Sequence, residues 1–170
     1  GAFVVASNAS WGLDNGQASQ APLWCAFYDT LGQHGILNIA ATTNNNVNVN
    51  TAGDLPTSCP SDYLVSVTNL NRFGTLFGGY GSSTIDLGTF GDGVYTLANN
   101  SSYSAFGGTS GAAPHVAGAL MLLKEAFPFL SGEDLKLALY YTAVDLGTEG
   151  EDNTYGMGII DVFAAYEYLL

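Results

Sequence analysis

Basic residues are almost missing from this chain. Arg72, Lys124 and Lys136 stand against fifteen acidic residues, for a formal charge of −12. Binding nucleic acid requires a cationic footprint that displaces counterions from phosphates, so that class of function is excluded. An anionic membrane surface would repel the chain for the same reason. No apolar run approaches the ~18 residues that span a bilayer. No basic stretch precedes an apolar one at the N-terminus, so a signal peptide, if the protein has one, is expected upstream. Cysteine is scarce too. Cys25 and Cys59 show no C-x-x-C or Cys/His spacing of a zinc site. In an extracellular protein they would form one disulfide, closing about 34 residues for roughly 3–4 kcal/mol; otherwise they are two buried thiols. Only 11% of residues are charged, and Asn, Ser, Thr, Gly and Tyr are abundant. Such an uncharged polar surface is common in secreted proteins and favours the disulfide.

What is present is a core. At 170 residues and 47% hydrophobic, the chain can bury one sizeable interior and is expected to be a single domain over 1–170. Apolar runs alternate with helical patterns, the signature of β-α-β units and a mostly parallel sheet. Phe3–Ala6 reads as an interior strand. A natural domain rarely opens that way, so the chain reads as an excised segment. A turn at Ser10-Trp11-Gly12 follows. Pro22 opens a helix on which Leu23, Phe27 and Leu31 share a face, ended by Gly32 and Gly35. Ile36–Ala41 is continuous enough to be a strand covered on both faces. The Asn-rich stretch Thr42–Asn50 lies between strong strands and reads as a functional loop. Further strands are expected at Tyr63–Thr68, Ile85–Leu87 and Val94–Leu97, with a hairpin inside the Gly-rich region 74–93. Ala112–Phe127 is a helix apolar all round, hence buried. Pro128 stops it, Ser131 caps the next helix with Asp134 in the capping-box position, and a last short helix follows Asp161.

The chemistry is concentrated in Gly108-Thr109-Ser110-Gly111-Ala112-Ala113-Pro114-His115-Val116-Ala117-Gly118. A serine at the mouth of a buried helix faces the positive end of the dipole and free N–H groups. Those donors can stabilise an oxyanion as it develops, which is what acyl transfer requires. Small residues at 111–113 let a substrate backbone approach. An isolated Gly-Thr-Ser would be no more than an N-cap; the full eleven-residue string carries the assignment.

That string resembles the nucleophile motif of the subtilisin-like (subtilase) serine proteases, departing only at Gly111, where methionine is usual. The resemblance implies that Ser110 is the nucleophile. Ile39-Ala40-Ala41-Thr42-Thr43-Asn44 is similar to the family's strand that ends in an oxyanion-hole asparagine, which implies that role for Asn44. A threonine stands where the family has glycine, and Asn45 and Asn46 follow directly. Ser10-Trp11-Gly12 resembles the family's Ser-Leu-Gly segment, where substrate backbone adds as an extra strand beside the primary specificity pocket. Pro56, Thr57 and Ser58, before Cys59, fit its pocket-floor loop. Ala41 and Thr42 complete the implied substrate-binding set. Weaker echoes are Phe77-Gly78-Gly79-Tyr80-Gly81 and Tyr155-Gly156-Met157-Gly158-Ile159-Ile160-Asp161. All occur in the family's order and correspond to roughly its C-terminal half to 60%.

The resemblance implies a three-layer α/β/α fold with a mostly parallel sheet whose N-terminal portion is absent, and an endopeptidase acting through an acyl-enzyme on extended peptides or proteins. No cofactor is implied for the chemistry. Relatives often carry structural calcium, but no loop has a specific ligand pattern, so no metal residue is named. The general base and its orienting aspartate belong to His-Gly-Thr and Asp-Thr/Ser-Gly motifs, and neither is present. His115 matches a structural histidine of the family, and His34 sits in a Gly-flanked turn. Asp54, Asp86 and Asp92 read as turn residues. The chain alone is therefore expected to be inactive. The missing residues come either from an upstream segment or, in a non-catalytic peptide-binding relative, from nowhere. An α/β-hydrolase reading fails because its G-x-S-x-G elbow needs glycine at position 112, and 99–105 reads as a polar loop rather than a strand. An exposed sheet edge would let such a segment self-associate.

Overall fold

The computed structural model describes residues 4–170. In chain order the elements are β1 (Ala6–Ala9), β2 (Leu13–Asp14), α1 (Pro22–Gln33), β3 (Leu37–Ala41), α2 (Val49–Ala52), β4 (Asp54–Leu55), β5 (Leu64–Leu70), β6 (Leu87–Phe90), β7 (Val94–Ala98), β8 (Ser102–Phe106), α3 (Thr109–Ala126), α4 (Gly132–Tyr141) and α5 (Val162–Tyr168). The frame is a four-stranded parallel sheet in the order β1-β3-β5-β6. Two small antiparallel pairs, β2–β4 and β7–β8, stand apart from it.

Neighbouring side chains of a strand point to opposite faces, and β3 uses both. Leu37, Ile39 and Ala41 join Val65, Val67 and Leu87 against Ala112, Val116, Leu120 and Leu123 of α3, with α4 and α5 packed behind. Ala40 faces the other way, onto Ala9, Cys25, Tyr28, Leu55 and Cys59. Helices thus cover the sheet from two sides in three layers, α/β/α. All five β3 residues are buried, which is why the segment reads as an unbroken apolar run. Its one strongly polar member, Asn38, is satisfied inside: its amide donates to the Tyr28 and Tyr63 carbonyls, and its Oδ1 accepts from Ser7 Oγ.

Several sequence expectations shift. The first strand lies at Ala6–Ala9, three residues later than predicted, and Phe3 of the predicted span falls outside the described residues. The Leu23/Phe27/Leu31 face of α1 is not the buried one. Leu23 is 87% and Phe27 55% exposed, while Cys25, Tyr28 and Gly32 point inward. Gly32 lies so close to Tyr63 that a Cβ would sit 1.8 Å from its ring. A close-packed interior needs that small residue, so packing rather than periodicity selects the face. Likewise α3 is apolar all round but buried on one side only: Met121 and Leu122 are exposed. The hairpin is not within 74–93 but at 94–106, where most of the segment 99–105, expected as a polar loop, belongs to β8 and only 99–101 form the turn. Tight turning there comes from Asn100 and Ser101, which take positive φ. The capping box of Ser131 and Asp134 and the short helix after Asp161 form as expected, and Asp161 caps that helix by accepting from the Ala164 N–H.

Cys25 and Cys59 are joined in a disulfide that ties α1 to the loop after β4. The bond closes 34 residues, so chain entropy assigns it roughly 3–4 kcal/mol. We expect urea unfolding of a Cys25→Ser/Cys59→Ser variant to show a loss of that size. Equal stability of the variant and the oxidised parent would rule the contribution out.

Candidate active site

β1 and β3 run parallel, so their C-terminal ends open on the same side of the sheet, the usual place for a site in α/β folds. α3 begins at that same edge. A mostly polar cavity of about 250 Å³ lies there, lined by Ser10, Trp11, Gly12 and Asp14 after β1, Ala41–Asn44 at the end of β3, Asp54 of β4, and Thr109 and Ser110 of α3. Residues up to a hundred positions apart in the chain are thereby brought to one wall.

The start of α3 is held by an unusual join. Gly108, its N-cap, has φ +76°, and a Cβ on it would lie 2.4 Å from Asn44 Oδ1. Only glycine fits both demands. The missing side chain makes room for Asn44, whose Oδ1 accepts from the Thr109 N–H (2.9 Å) and the Thr109 hydroxyl (3.0 Å). With its oxygen committed to these donors, the Asn44 side chain has its Nδ2 hydrogens left to donate. Asn45 turns instead toward Asp14 and Thr43, so of the consecutive asparagines it is Asn44 that meets the helix.

Helix geometry leaves further donors and acceptors at this mouth. The Gly111 and Ala112 N–H groups bond to Gly108, but among the described residues nothing accepts from the Ser110 N–H. Pro114 has no N–H with which to bond the Ser110 carbonyl four residues back. That carbonyl accepts from Ser10 Oγ instead (2.9 Å), while Ser110 Oγ donates to the Ser10 carbonyl (3.2 Å). This reciprocal pair fastens the segment after β1 to the helix that carries the serine. Gly12 is pressed onto β4: a Cβ there would fall 2.0 Å from the Leu55 oxygen. Trp11 is exposed, stacking on Trp24 with centroids 5.2 Å apart, rather than packing in the core.

Among the described residues no histidine lines the cavity. His115 is turned away, its Nδ1 2.8 Å from the Gly111 carbonyl of its own helix, and His34 follows the end of α1. Pro56, Thr57 and Ser58 are not on the cavity wall either. Thr57 and Ser58 act behind it, on Asp54: Thr57 Oγ1 donates to Asp54 Oδ2 (2.6 Å), and the Asp54 N–H donates to Ser58 Oγ. Of the three aspartates read as turn residues, Asp92 does sit in the turn between β6 and β7, whereas Asp54 lies in β4 and Asp86 just before β6. Asp54 is 2% exposed and faces the cavity. Burial pushes its carboxyl up from the usual range, hydrogen bonds from Thr57, Thr42 and Thr43 oppose the shift, and nearby Asp14 adds to it. Asp86 accepts from the Ser66 N–H (2.6 Å), and burial pushes it up to about 6. Asp92 accepts from the Asn69 amide. Asp54 is a buried cavity residue that sequence reasoning missed, as it missed Asp14 at the rim; the signal for Asp54 was the pair of hydroxyl donors, Thr42 and Thr57, on either side of it in sequence. Among the described residues, no three His, Cys, Asp or Glu side chains gather as metal ligands would, so no calcium position is assigned.

The model of the subtilase family matches residues 4–158. The chain is 30% identical over 167 residues to an extracellular serine protease of Serratia marcescens, covering 95% of this chain and 15% of that one. It is 34% identical over 135 residues to subtilisin Savinase of Lederbergia lenta, covering 77% and 46%. A lanthipeptide protease structure superposes with a TM-score of 0.86 at 21% identity, covering 98% of this chain and 62% of that one, and shows the same fold. The chain thus spans less than half the length of the curated relatives named.

Gly108→Ala should push Asn44 off Thr109 and strain the N-cap, for a stability loss of roughly 1–3 kcal/mol. The Asn44 side-chain amide resonances should shift with it. An alanine variant with unchanged Asn44 resonances would contradict the geometry.

Proposed function

Because the chain belongs to the subtilase family, we propose that it carries the nucleophile and oxyanion half of a serine endopeptidase centre. One observation carries the reading: the Ser110 hydroxyl, the unbonded Ser110 N–H and the Asn44 amide share one small polar cavity. Ser110 Oγ attacks the carbonyl carbon of a peptide bond. The carbonyl oxygen then gathers negative charge between the Ser110 N–H and Asn44 Nδ2, donors already oriented in the resting state. Collapse expels the amine and leaves an acyl-enzyme on Ser110, which water hydrolyses. The substrate lies extended along Ser10-Trp11-Gly12, bound mainly through its backbone, and Ala41 and Thr42 flank it.

Attack requires that Ser110 lose its proton. Here that proton is donated to the Ser10 carbonyl, a group that cannot act as a base. The histidine and its aspartate are supplied by chain beyond these 170 residues, and this segment alone is inactive. The chemistry needs no cofactor. The setting is extracellular, a reading supported by the disulfide and by the extracellular Serratia relative. The outer edge of β1 has no partner strand among the described residues, so the isolated chain associates with itself there.

Three measurements test these statements. In the longest product of the gene, a fluorophosphonate should label Ser110, and Ser110→Ala should abolish labelling; an unlabelled protein would be a non-catalytic peptide binder instead. Asn44→Ala should lower kcat about 10²–10³-fold with KM little altered, whereas an unchanged kcat would remove Asn44 from the oxyanion hole. The isolated chain should sediment as a dimer or larger, and a strictly monomeric profile would dispose of the edge association.

A further inference from the structure

The floor of the cavity carries a negative charge with no positive partner. Asp54 Oδ2 is saturated, accepting from Thr42 Oγ1 (2.9 Å), the Thr43 N–H (3.1 Å) and Thr57 Oγ1 (2.6 Å). Three donors on one oxygen fix the orientation of the carboxyl. Among the described residues none donates to Oδ1. Yet among the described residues no fully buried side-chain oxygen or nitrogen is without a partner. Oδ1 therefore keeps contact with open space, and Asp54 lines the cavity that it shares with Ser110. The chain has three Lys and Arg residues, and all are engaged elsewhere. Arg72 lies over Phe73, Lys124 bonds the Leu130 carbonyl, and Lys136 bonds the Asp62 carbonyl. At the rim a second carboxylate, Asp14, adds negative potential.

Resting on the reading of Ser110 as nucleophile, we infer that Asp54 makes this cavity select lysine or arginine as the substrate residue whose carbonyl Ser110 attacks. A buried carboxylate oxygen facing an apolar side chain loses its hydration and receives nothing in return. An ammonium or guanidinium group restores both the charge and the hydrogen bond, and the guanidinium fork matches a carboxylate especially well. Discrimination of this kind is steep, because the wrong side chain leaves the site's own polar atom unpaired. The fixed orientation matters as well. The carboxyl is held before substrate arrives, so little rotamer freedom is lost on binding. Asp14, exposed and screened, contributes attraction at a distance rather than contact.

The test uses the full-length protein and peptide substrates that differ only at the residue before the scissile bond: Arg, Lys, Leu, Phe or Glu. We expect kcat/KM for Arg and Lys to exceed that for Leu and Phe by about 10²-fold or more, with Glu the poorest. Asp54→Asn keeps an oxygen for the two threonine hydroxyls and the Thr43 N–H but removes the charge. It should lose about 10²-fold on Arg while leaving Leu unchanged or improved. Asp14→Asn should cost only a few-fold, and less at high salt. Equal cleavage of Leu and Arg substrates, or an Arg preference surviving in Asp54→Asn, overturns the inference. The substrate series on the unaltered protein decides the matter even if the variant does not fold. Fluorophosphonate labelling separates the two levels: labelling without basic preference sinks this assignment alone, whereas no labelling and no cleavage of any substrate sinks the nucleophile reading beneath it.

Discussion

Two hydrogen bonds from Thr109 to one oxygen of Asn44 join the end of β3 to the start of α3, and the geometry of the site follows from them. They use the first orphan N–H of the helix, a donor that would otherwise need water or a cap. They also hold the amide by its oxygen, which leaves its nitrogen as the donor end. The join is possible only because Gly108 has no side chain and tolerates a positive φ. One small residue thus sets the distance between Asn44 and Thr109, which are 65 positions apart in sequence.

The second constraint is Pro114. In a helix interior a proline removes a backbone hydrogen bond and is usually a liability. Here the carbonyl it leaves free belongs to Ser110 and is taken up by the Ser10 hydroxyl. The segment that follows β1 is therefore attached to the helix by Ser110 itself. Behind both contacts, the apolar face of α3 packs on β3 and β5. A close-packed interior of that kind has little freedom to relax, so the polar groups at its edge are held with small amplitude.

What could be read from the chain was whatever local chemistry dictates. The unbroken apolar run of β3, the capping box at Ser131, the short helix after Asp161 and the small-residue entry to α3 each follow from a few neighbouring residues, and each forms as read. Errors arose where a choice depended on a distant partner. Leu23 and Phe27 have ideal helical spacing, but Tyr63, thirty-one residues beyond Gly32, requires the small residue to face inward. The segment 99–105 is polar enough for a loop, yet Tyr103 stacks on Tyr95 across the hairpin.

Asp54 marks the boundary between the two kinds of knowledge. In sequence it is an aspartate after a glycine, a pattern typical of turns. Its burial, its three donors and its place beside Ser110 exist only once β3, β4 and α3 are packed together. The sequence by itself determined the main helices, the central strand β3, the family resemblance and the serine-bearing segment that opens α3, because these depend on residue type and short spacing. Only the tertiary structure decided which asparagine meets the helix, which face of α1 is covered and that a buried carboxylate lies beside the serine. These are matters of distance between remote parts of the chain, and close packing sets such distances where local preference cannot.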